Sequence, residues 1–464
     1  MSEVVSYNRE GSIGVITVNY PPVNALGQAV RSGLLAALEQ GQKDAGAKAL
    51  LLVCEGRTFI AGADIREFGK PMQQPTLPVL VNRFENSDKP LVAAIQGTAL
   101  GGGLETALSC HYRVAVSSAK VGLPEVKLGL LPGAGGTQRL PRLTGARKAL
   151  EMITTGEFVG ARDALALGIL DAVDDGGDIR TVGMAYAQKV VDEGKPVRRV
   201  RDITDKIETD KGSDIFDQFR EDLKKRARGL FSPFKCVDAV EAAFNLPFDK
   251  GMKRERELFM ECMESPQRAG LIHSFFGERE VSKVKGLAKD TPVRDVNSVG
   301  IIGAGTMGGG IAMNFVNVGI PVTIVEVKQE ALDKGLAIIR RNYENSAKKG
   351  KLTQEQVEQR MALITPSLTY DDFRYVDLVI EAVFENMAIK KEIFARLDEI
   401  CKPGAILASN TSTLDIDEIA SATKRPEDVV GMHFFSPANV MRLLENVRGS
   451  KTSDEVKATV MAVA

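Results

Sequence analysis

The sequence has no tryptophan and only three histidines, His111, His273 and His433. So few imidazoles argue against a histidine-rich metal centre. Its five cysteines, Cys54, Cys110, Cys236, Cys262 and Cys401, are scattered, odd in number and never spaced as CxxC. That pattern fits free thiols in a reducing compartment, and neither a disulfide framework nor a metal site is expected. Charge of one sign is also missing: 60 Lys and Arg face 61 Asp and Glu, a formal net charge of -1. Nucleic acid and anionic membrane surfaces therefore gain no support as partners. No run of ~18 apolar residues occurs, so no membrane span is expected. The opening MSEVVSYNREGSIGVITV lacks a charged-then-apolar leader. The closing DEVKATVMAVA reads as the middle of an amphipathic helix without glycine cap or proline stop. The expectation is a chain that has been cut there, with any C-terminal address signal lost.

What is present is the composition of a soluble globular protein, 44% hydrophobic and 26% charged, long enough at 464 residues for two or three domains. Residues 1–190 alternate β-rich runs (Gly14–Val18, Ala49–Val53, Leu91–Ile95) with helical stretches such as Ser32–Lys43, an α/β pattern. Residues 191–280 turn charge-rich and helical, notably Asp214–Ala227 and Lys253–Glu264. Residues 281–296 are polar and contain Pro292; they read as a connector that begins as a helix. A second α/β unit occupies 297–464. Its strands are expected at Val299–Ile302, Val322–Val325, Leu378–Ile380, Ile406–Ala408 and Val429–Gly431, with a helix at Met307–Val318. No repeat of 20 to 50 residues interrupts this order.

Three segments of the first unit carry chemistry. They are Ile60-Ala61-Gly62-Ala63-Asp64-Ile65, Gly97 through Gly101-Gly102-Gly103-Leu104-Glu105, and Gly122-Leu123-Pro124-Glu125 running on to Gly133-Ala134-Gly135-Gly136-Thr137. A glycine triplet before a helix offers free N–H groups and the positive end of a dipole to a developing oxyanion. Glu105 and Glu125 stand in apolar, glycine-rich surroundings, a costly place for a carboxylate without a purpose. Two such groups in one apolar pocket can hold different protonation states and act as acid and base. Gly133 to Gly136 either cover the pocket or close a turn.

In the second unit, Gly303-Ala304-Gly305-Thr306-Met307-Gly308 is a GxGxxG between a strand and a helix, the context of a dinucleotide turn. Glu326 follows at the end of the next strand. An acidic residue there accepts ribose hydroxyls and repels a 2′-phosphate, which favours NAD over NADP. His433 after a strand, with Glu445 12 residues on, suits a base and the carboxylate that orients it.

The first set of segments resembles the crotonase family, and within it the enoyl-CoA hydratases. That resemblance implies an oxyanion hole of the Ala63 and Gly102 N–H groups, Glu105 and Glu125 as acid/base pair, and Arg57 and Arg66 as contacts to CoA phosphates. Δ3-Δ2-enoyl-CoA isomerisation needs the same oxyanion hole and one proton shuttle, and the sequence does not separate the two. Residues from 298 to about 450 resemble the NAD domain of 3-hydroxyacyl-CoA dehydrogenases. His433-Phe434-Phe435-Ser436-Pro437 followed by Glu445 matches the family's catalytic pair. Asn410-Thr411-Ser412 matches a segment in which Ser412 contacts the substrate hydroxyl, and Glu385 and Lys390 fall at NAD contacts. Thr306 and Met307, with Gly303, Gly305, Gly308 and Glu326, belong to the implied cofactor site. One departure is Ser436, where the family often has asparagine.

The order of parts resembles the multifunctional enzymes of fatty-acid β-oxidation. It implies an α/β chain: a crotonase-type ββα spiral (1–190) with a helical C-terminal part (191–280), the connector (281–296), then a Rossmann-type doubly wound parallel sheet (297–464). The implied ligands are acyl-CoA thioesters and NAD, on a monomer able to join a thiolase. The family's helical C-terminal domain lies beyond the sequence, so NAD binding with weak or absent dehydrogenase turnover is expected. The expected location is cytoplasmic, or peroxisomal if an address signal has been removed. The competing expectation is a degenerate module that only binds acyl-CoA or holds a partner.

Overall fold

The computed structural model describes residues 4–67, 70–71, 73–281 and 283–464; residues 1–3, 68, 69, 72 and 282, the last inside the expected connector, lie outside the described residues. The chain divides into two compact units, Met1–Glu280 and Val281–Ala464.

Among the described residues the first unit has nine strands: β1 Val5–Glu10, β2 Ile13–Val18, β3 Ala49–Cys54, β4 Leu91–Ile95, β5 Thr98–Leu100, β6 Tyr112–Val116, β7 Lys120–Gly122, β8 Val159–Gly160 and β9 Ala172–Asp174. Six form a sheet in the order β1-β2-β3-β4-β6-β9. Only its β1–β2 pair is antiparallel. Parallel strands covered on both faces read as unbroken apolar runs, and β3, Ala-Leu-Leu-Leu-Val-Cys, is buried throughout. Alternate residues serve two cores. Leu50 and Leu52 join the large one. Leu51 and Val53 join a smaller one with Ala187 and Val190 of the helix Ile179–Asp192. A small second sheet, β5-β7-β8, carries the glycine triplet at the end of β5 and Glu125 shortly after β7.

The described residues of the second unit form seven strands: β10 Val299–Ile302, β11 Val322–Val325, β12 Ile364–Ser367, β13 Leu378–Glu381, β14 Ile406–Ser409, β15 Val429–Phe434 and β16 Leu444–Arg448. Their order is β12-β11-β10-β13-β14-β15-β16, parallel except for the last pair. The chain winds outward from β10 in one direction and resumes at β13 on its other side. That reversal is the switch point where ligands of open α/β sheets bind. Again one strand feeds two cores: Leu378 and Ile380 face one, Val379 the other.

Three expectations need correction. Among the described residues of 281–296 no helix begins; the helix Pro266–Glu280 ends before them, and they hold no regular element. His433 lies inside β15 rather than after it, because pairing with β16 carries the strand on to Phe434. The helix expected to follow the glycine triplet takes in the last two of its glycines and starts at Gly102.

Candidate functional site

Gly101, at φ 52°, turns the chain from β5 into the helix Gly102–Ser109. A Cβ on Gly103 would lie 2.1 Å from the Ile60 carbonyl, and one on Gly101 2.8 Å from Glu125 Oε1. These positions take glycine because backbone and carboxylate press against them. A Cβ on Gly102 would stand 3.5 Å from Ala63 N, so the two implied oxyanion amides are neighbours. Neither N–H donates to another described residue.

The helix that starts at Gly102 points Glu105 into the interior, 2% exposed. Its Oε1 accepts the N–H of Ala134 at 2.7 Å and of Gly136 at 2.8 Å. The turn Gly133–Gly136 therefore holds a carboxylate as well as leading into the helix Gly136–Thr144. Burial raises the Glu105 carboxyl above its ordinary value, and the two N–H donors and the Arg139 charge offset only part of that rise. Glu125 is part-exposed along its stem, but its Oε2 is shut from solvent and accepts no hydrogen bond. Burial, then the Glu105 charge, push its carboxyl well above the usual range. The structure thus brings Ala63, Gly102, Glu105 and Glu125 together.

It brings in a third carboxylate that sequence reasoning missed. Glu255, 1% exposed, comes from the helix Phe248–Glu264. It accepts Gly135 N–H at 2.8 Å, Thr137 N–H at 3.2 Å and the Thr137 hydroxyl at 2.5 Å. Burial and then the charge of Glu105 push it up to about 8, against the Thr137 and Gly135 bonds. Beneath them Arg139 pairs with Glu85 at 2.6 Å, both enclosed, and donates to the Ala134 carbonyl at 3.2 Å. Of the two implied phosphate contacts, Arg66 lies on the surface paired with Asp64 at 2.7 Å, and Arg57 is exposed without an ion pair among the described residues.

In the second unit the glycines divide their work. Gly303 takes φ 102° with the Ala382 carbonyl 2.8 Å from its Cβ position; a Cβ on Gly308 would meet Gly303 O at 1.8 Å. A Cβ on Gly305 would meet nothing within 4 Å. That open cradle at the start of the helix Thr306–Asn317 fits a pyrophosphate, and Thr306 and Met307 supply the first free N–H groups beside it. Glu326 accepts Ala304 N–H at 3.0 Å and Val327 N–H at 2.8 Å, which fixes it at the end of β11.

His433 and Glu445 face each other across the β15–β16 ladder, with Nδ1 2.8 Å from Oε2. The next residue ties this pair to the Asn410–Ser412 turn, since Phe434 N–H donates to Asn410 Oδ1 at 2.8 Å. Glu385 gathers that turn: it accepts Thr411 Oγ1 at 2.6 Å, Ser412 N–H at 2.9 Å and Ser412 Oγ at 3.2 Å. Burial pushes the Glu385 carboxyl up, but these donors and the Lys390 charge outweigh it and hold it at about 2. Lys390 is itself enclosed, its ammonium 2.8 Å from Glu381 Oε1 and 3.4 Å from Glu385. Of the two implied NAD contacts, then, Lys390 is committed to neighbouring carboxylates. Ser436 follows Phe435, whose ring lies 4.7 Å from that of His433.

Residues 8–225 match the family of enoyl-CoA hydratase/isomerase, and residues 298–464 match the NAD binding domain of 3-hydroxyacyl-CoA dehydrogenase. A peroxisomal bifunctional enzyme of Danio rerio is 45% identical over 97% of this chain and 62% of its own length. The protein of the same name from Homo sapiens is 41% identical over 99% of this chain and 64% of its own. A peroxisomal fatty acid beta-oxidation multifunctional protein of Arabidopsis thaliana is 38% identical over 97% and 64%. The chain thus spans less than two thirds of the length of these relatives. Among the described residues no helix is long and apolar enough to cross a membrane, and no group of side chains is arranged to hold a metal. Residues 8–225 and 298–464 thus match a hydratase/isomerase domain followed by a dehydrogenase NAD-binding domain, and the chain is similar over nearly all its residues to multifunctional enzymes of fatty-acid β-oxidation.

Proposed function

We propose that the first unit adds water to trans-2-enoyl-CoA to give 3-hydroxyacyl-CoA, with Δ3-Δ2-enoyl-CoA isomerisation as a side activity. The thioester oxygen accepts the N–H groups of Ala63 and Gly102, which stabilise the enolate as it forms. Glu105, whose ionised form is favoured by two N–H donors, takes a proton from the attacking water. The water oxygen bonds to C3. Glu125, held in its neutral form by burial and then by the Glu105 charge, gives its proton to C2, and proton exchange with solvent resets both groups. Arg57 and Arg66 are the proposed contacts to CoA phosphates, Arg66 after release from Asp64. The observation that carries the reading is the unlike environment of two buried carboxylates beside two unspent amides.

For the protein as a whole we propose oxidation of 3-hydroxyacyl-CoA to 3-ketoacyl-CoA. NAD, when bound, supplies the hydride acceptor. His433 takes the hydroxyl proton through its free Nε2, Glu445 orients the ring and stabilises its charged form, and Ser412 binds the substrate hydroxyl. Gly305, Thr306 and Met307 hold the pyrophosphate in the turn that Gly303 makes and the close packing of Gly308 completes, and Glu326 holds the ribose. Glu385 and Lys390 stand behind this surface, and Glu385 contacts NAD. The hydratase product is then the dehydrogenase substrate. A monomer, with a thiolase as the partner that consumes the product, completes the reading. The names of the relatives favour a peroxisome over the cytoplasm as its compartment.

Crotonyl-CoA tests the hydratase directly through loss of its conjugated-thioester absorbance. Glu105→Gln and Glu125→Gln are each expected to lower kcat by ~10²–10⁴-fold. Wild-type turnover in either variant removes that residue from the mechanism, and an inactive wild type overturns the reading.

A further inference from the structure

We propose that Glu255 is a positioning residue of the hydratase site: it divides with Glu105 the N–H groups of residues 134–137 and so fixes where the Glu105 carboxylate stands. The proposal rests on the hydratase reading above and deepens it. The division is alternate. Ala134 and Gly136 serve Glu105, while Gly135 and Thr137 serve Glu255. Successive N–H groups of one turn are thus shared between carboxylates on its two sides, and the turn cannot shift toward one without leaving the other.

The hold on the Glu255 side is specific. The Thr137 hydroxyl accepts from Gln138 Nε2 at 2.8 Å, which directs its single proton to Glu255 Oε2. Gln138 Nε2 in turn donates to the Ala239 carbonyl at 2.8 Å. Donors press on both oxygens of Glu255: Gly135 on Oε1, and the N–H and hydroxyl of Thr137 on Oε2. An amide offers one acceptor where two are needed. Glutamine at this position keeps the volume but sets its NH2 against an N–H on one side or the other. The turn must then move by tenths of an ångström, and Glu105, bonded at 2.7 and 2.8 Å to its other half, moves with it.

The test is crotonyl-CoA hydration by the full chain at about pH 9, above the value of about 8 to which Glu255 is raised, so that the group is the ionised carboxylate whose two oxygens serve the donors. Glu255→Gln is expected to lower kcat by ~10–100-fold, the usual cost of losing a group that orients a reacting one. KM should change by less than about threefold, because the groups proposed to bind the thioester and CoA are untouched. A purely structural Glu255 gives the opposite pattern: a lower melting temperature, with wild-type kcat in the folded enzyme. Thr137→Val and Thr137→Ser decide the matter should Glu255→Gln fail to fold. Valine removes one donor from Glu255 and should lower kcat several-fold, whereas serine keeps the hydroxyl and should restore it. A folded Glu255→Gln enzyme with wild-type kcat, or valine and serine variants alike, overturns the proposal while an active wild type leaves the hydratase reading standing. A wild type without hydration overturns both.

Discussion

The two units place their proposed acid–base groups in opposite surroundings. In the first, Glu105 and Glu255 are enclosed and Glu125 keeps an oxygen away from water. Burial raises all three carboxyls, the Glu105 charge raises Glu125 and Glu255 further, and their unequal donors pull their proton affinities apart. In the second, Glu445 is half exposed at an edge of the sheet, its side chain 51% accessible. There strand register does the work. Antiparallel pairing sets residue 433 opposite 445, and the His–Glu bond follows from the ladder. Proton affinity is set by desolvation in one unit and geometry by backbone pairing in the other.

One feature is common to both units, and breaking it is expected to have the largest effect. Each unit holds an ion pair with both partners enclosed, Glu85–Arg139 at 2.6 Å and Glu381–Lys390 at 2.8 Å. Removing one partner leaves a buried charge uncompensated, which costs about 3–5 kcal/mol. Arg139→Met should destabilise the first unit by that amount and Lys390→Met the second, read by urea unfolding followed by hydrogen exchange in peptides of each unit. A cost below about 1 kcal/mol in either would mean that water reaches the orphaned carboxylate.

The glycines sharpen the contrast at a smaller scale. Gly103→Ala and Gly308→Ala force a Cβ to 2.1 Å and 1.8 Å of a carbonyl oxygen and should each cost about 1–3 kcal/mol of stability. Gly305→Ala meets nothing within 4 Å and should leave stability within about 1 kcal/mol. It should still weaken NAD by about tenfold, equivalent to ~1.4 kcal/mol, because the methyl occupies the cradle. Calorimetric titration of NAD alongside thermal melts separates the two effects. Unweakened NAD binding by Gly305→Ala would remove that glycine from the cofactor site.

Much of this was legible in the sequence. Buried parallel strands such as β3 and β14 announce themselves as apolar runs, and Glu105 and Glu125 stand out against glycine and leucine. Glu255 does not. It sits in Lys253-Arg254-Glu255-Arg256-Glu257, where one more charge on a helix draws no notice, and its partners lie 118 to 120 residues away. Only tertiary packing turns that helix face inward. The position of His433 within its strand was missed for a related reason. The partner strand β16, Leu-Glu-Asn-Val-Arg, is largely exposed and carries no hydrophobic signature, so nothing local showed that pairing would extend β15. The surface pairing of Arg66 with Asp64, two residues back, is likewise a matter of side-chain rotamers that composition does not encode.

The smallest expected effect is in the dependence of stability on pH, and its sign should differ between the units. Glu255 is raised in the folded state to about 8, above the ~4.3 of an unfolded glutamate. Its contribution is fully present below the unfolded value and is lost as pH rises through the folded one. Glu385 is lowered to about 2. Its contribution is present above ~4.3 and is lost as pH falls toward 2. The first unit should therefore weaken between about pH 4 and 8, and Glu255→Gln should flatten that decline. The second should weaken only in acid, and Glu385→Gln should remove part of that acid limb. The Glu385 part should be modest, since its side chain is 39% accessible and solvent screens what it gains. Unfolding of each unit across this range, read by hydrogen exchange and corrected for intrinsic rates, checks both signs. Loss of stability in the same direction in both would mean that the buried pocket of the first unit is hydrated in solution, and with it would go the separation of protonation states on which the acid–base pair depends.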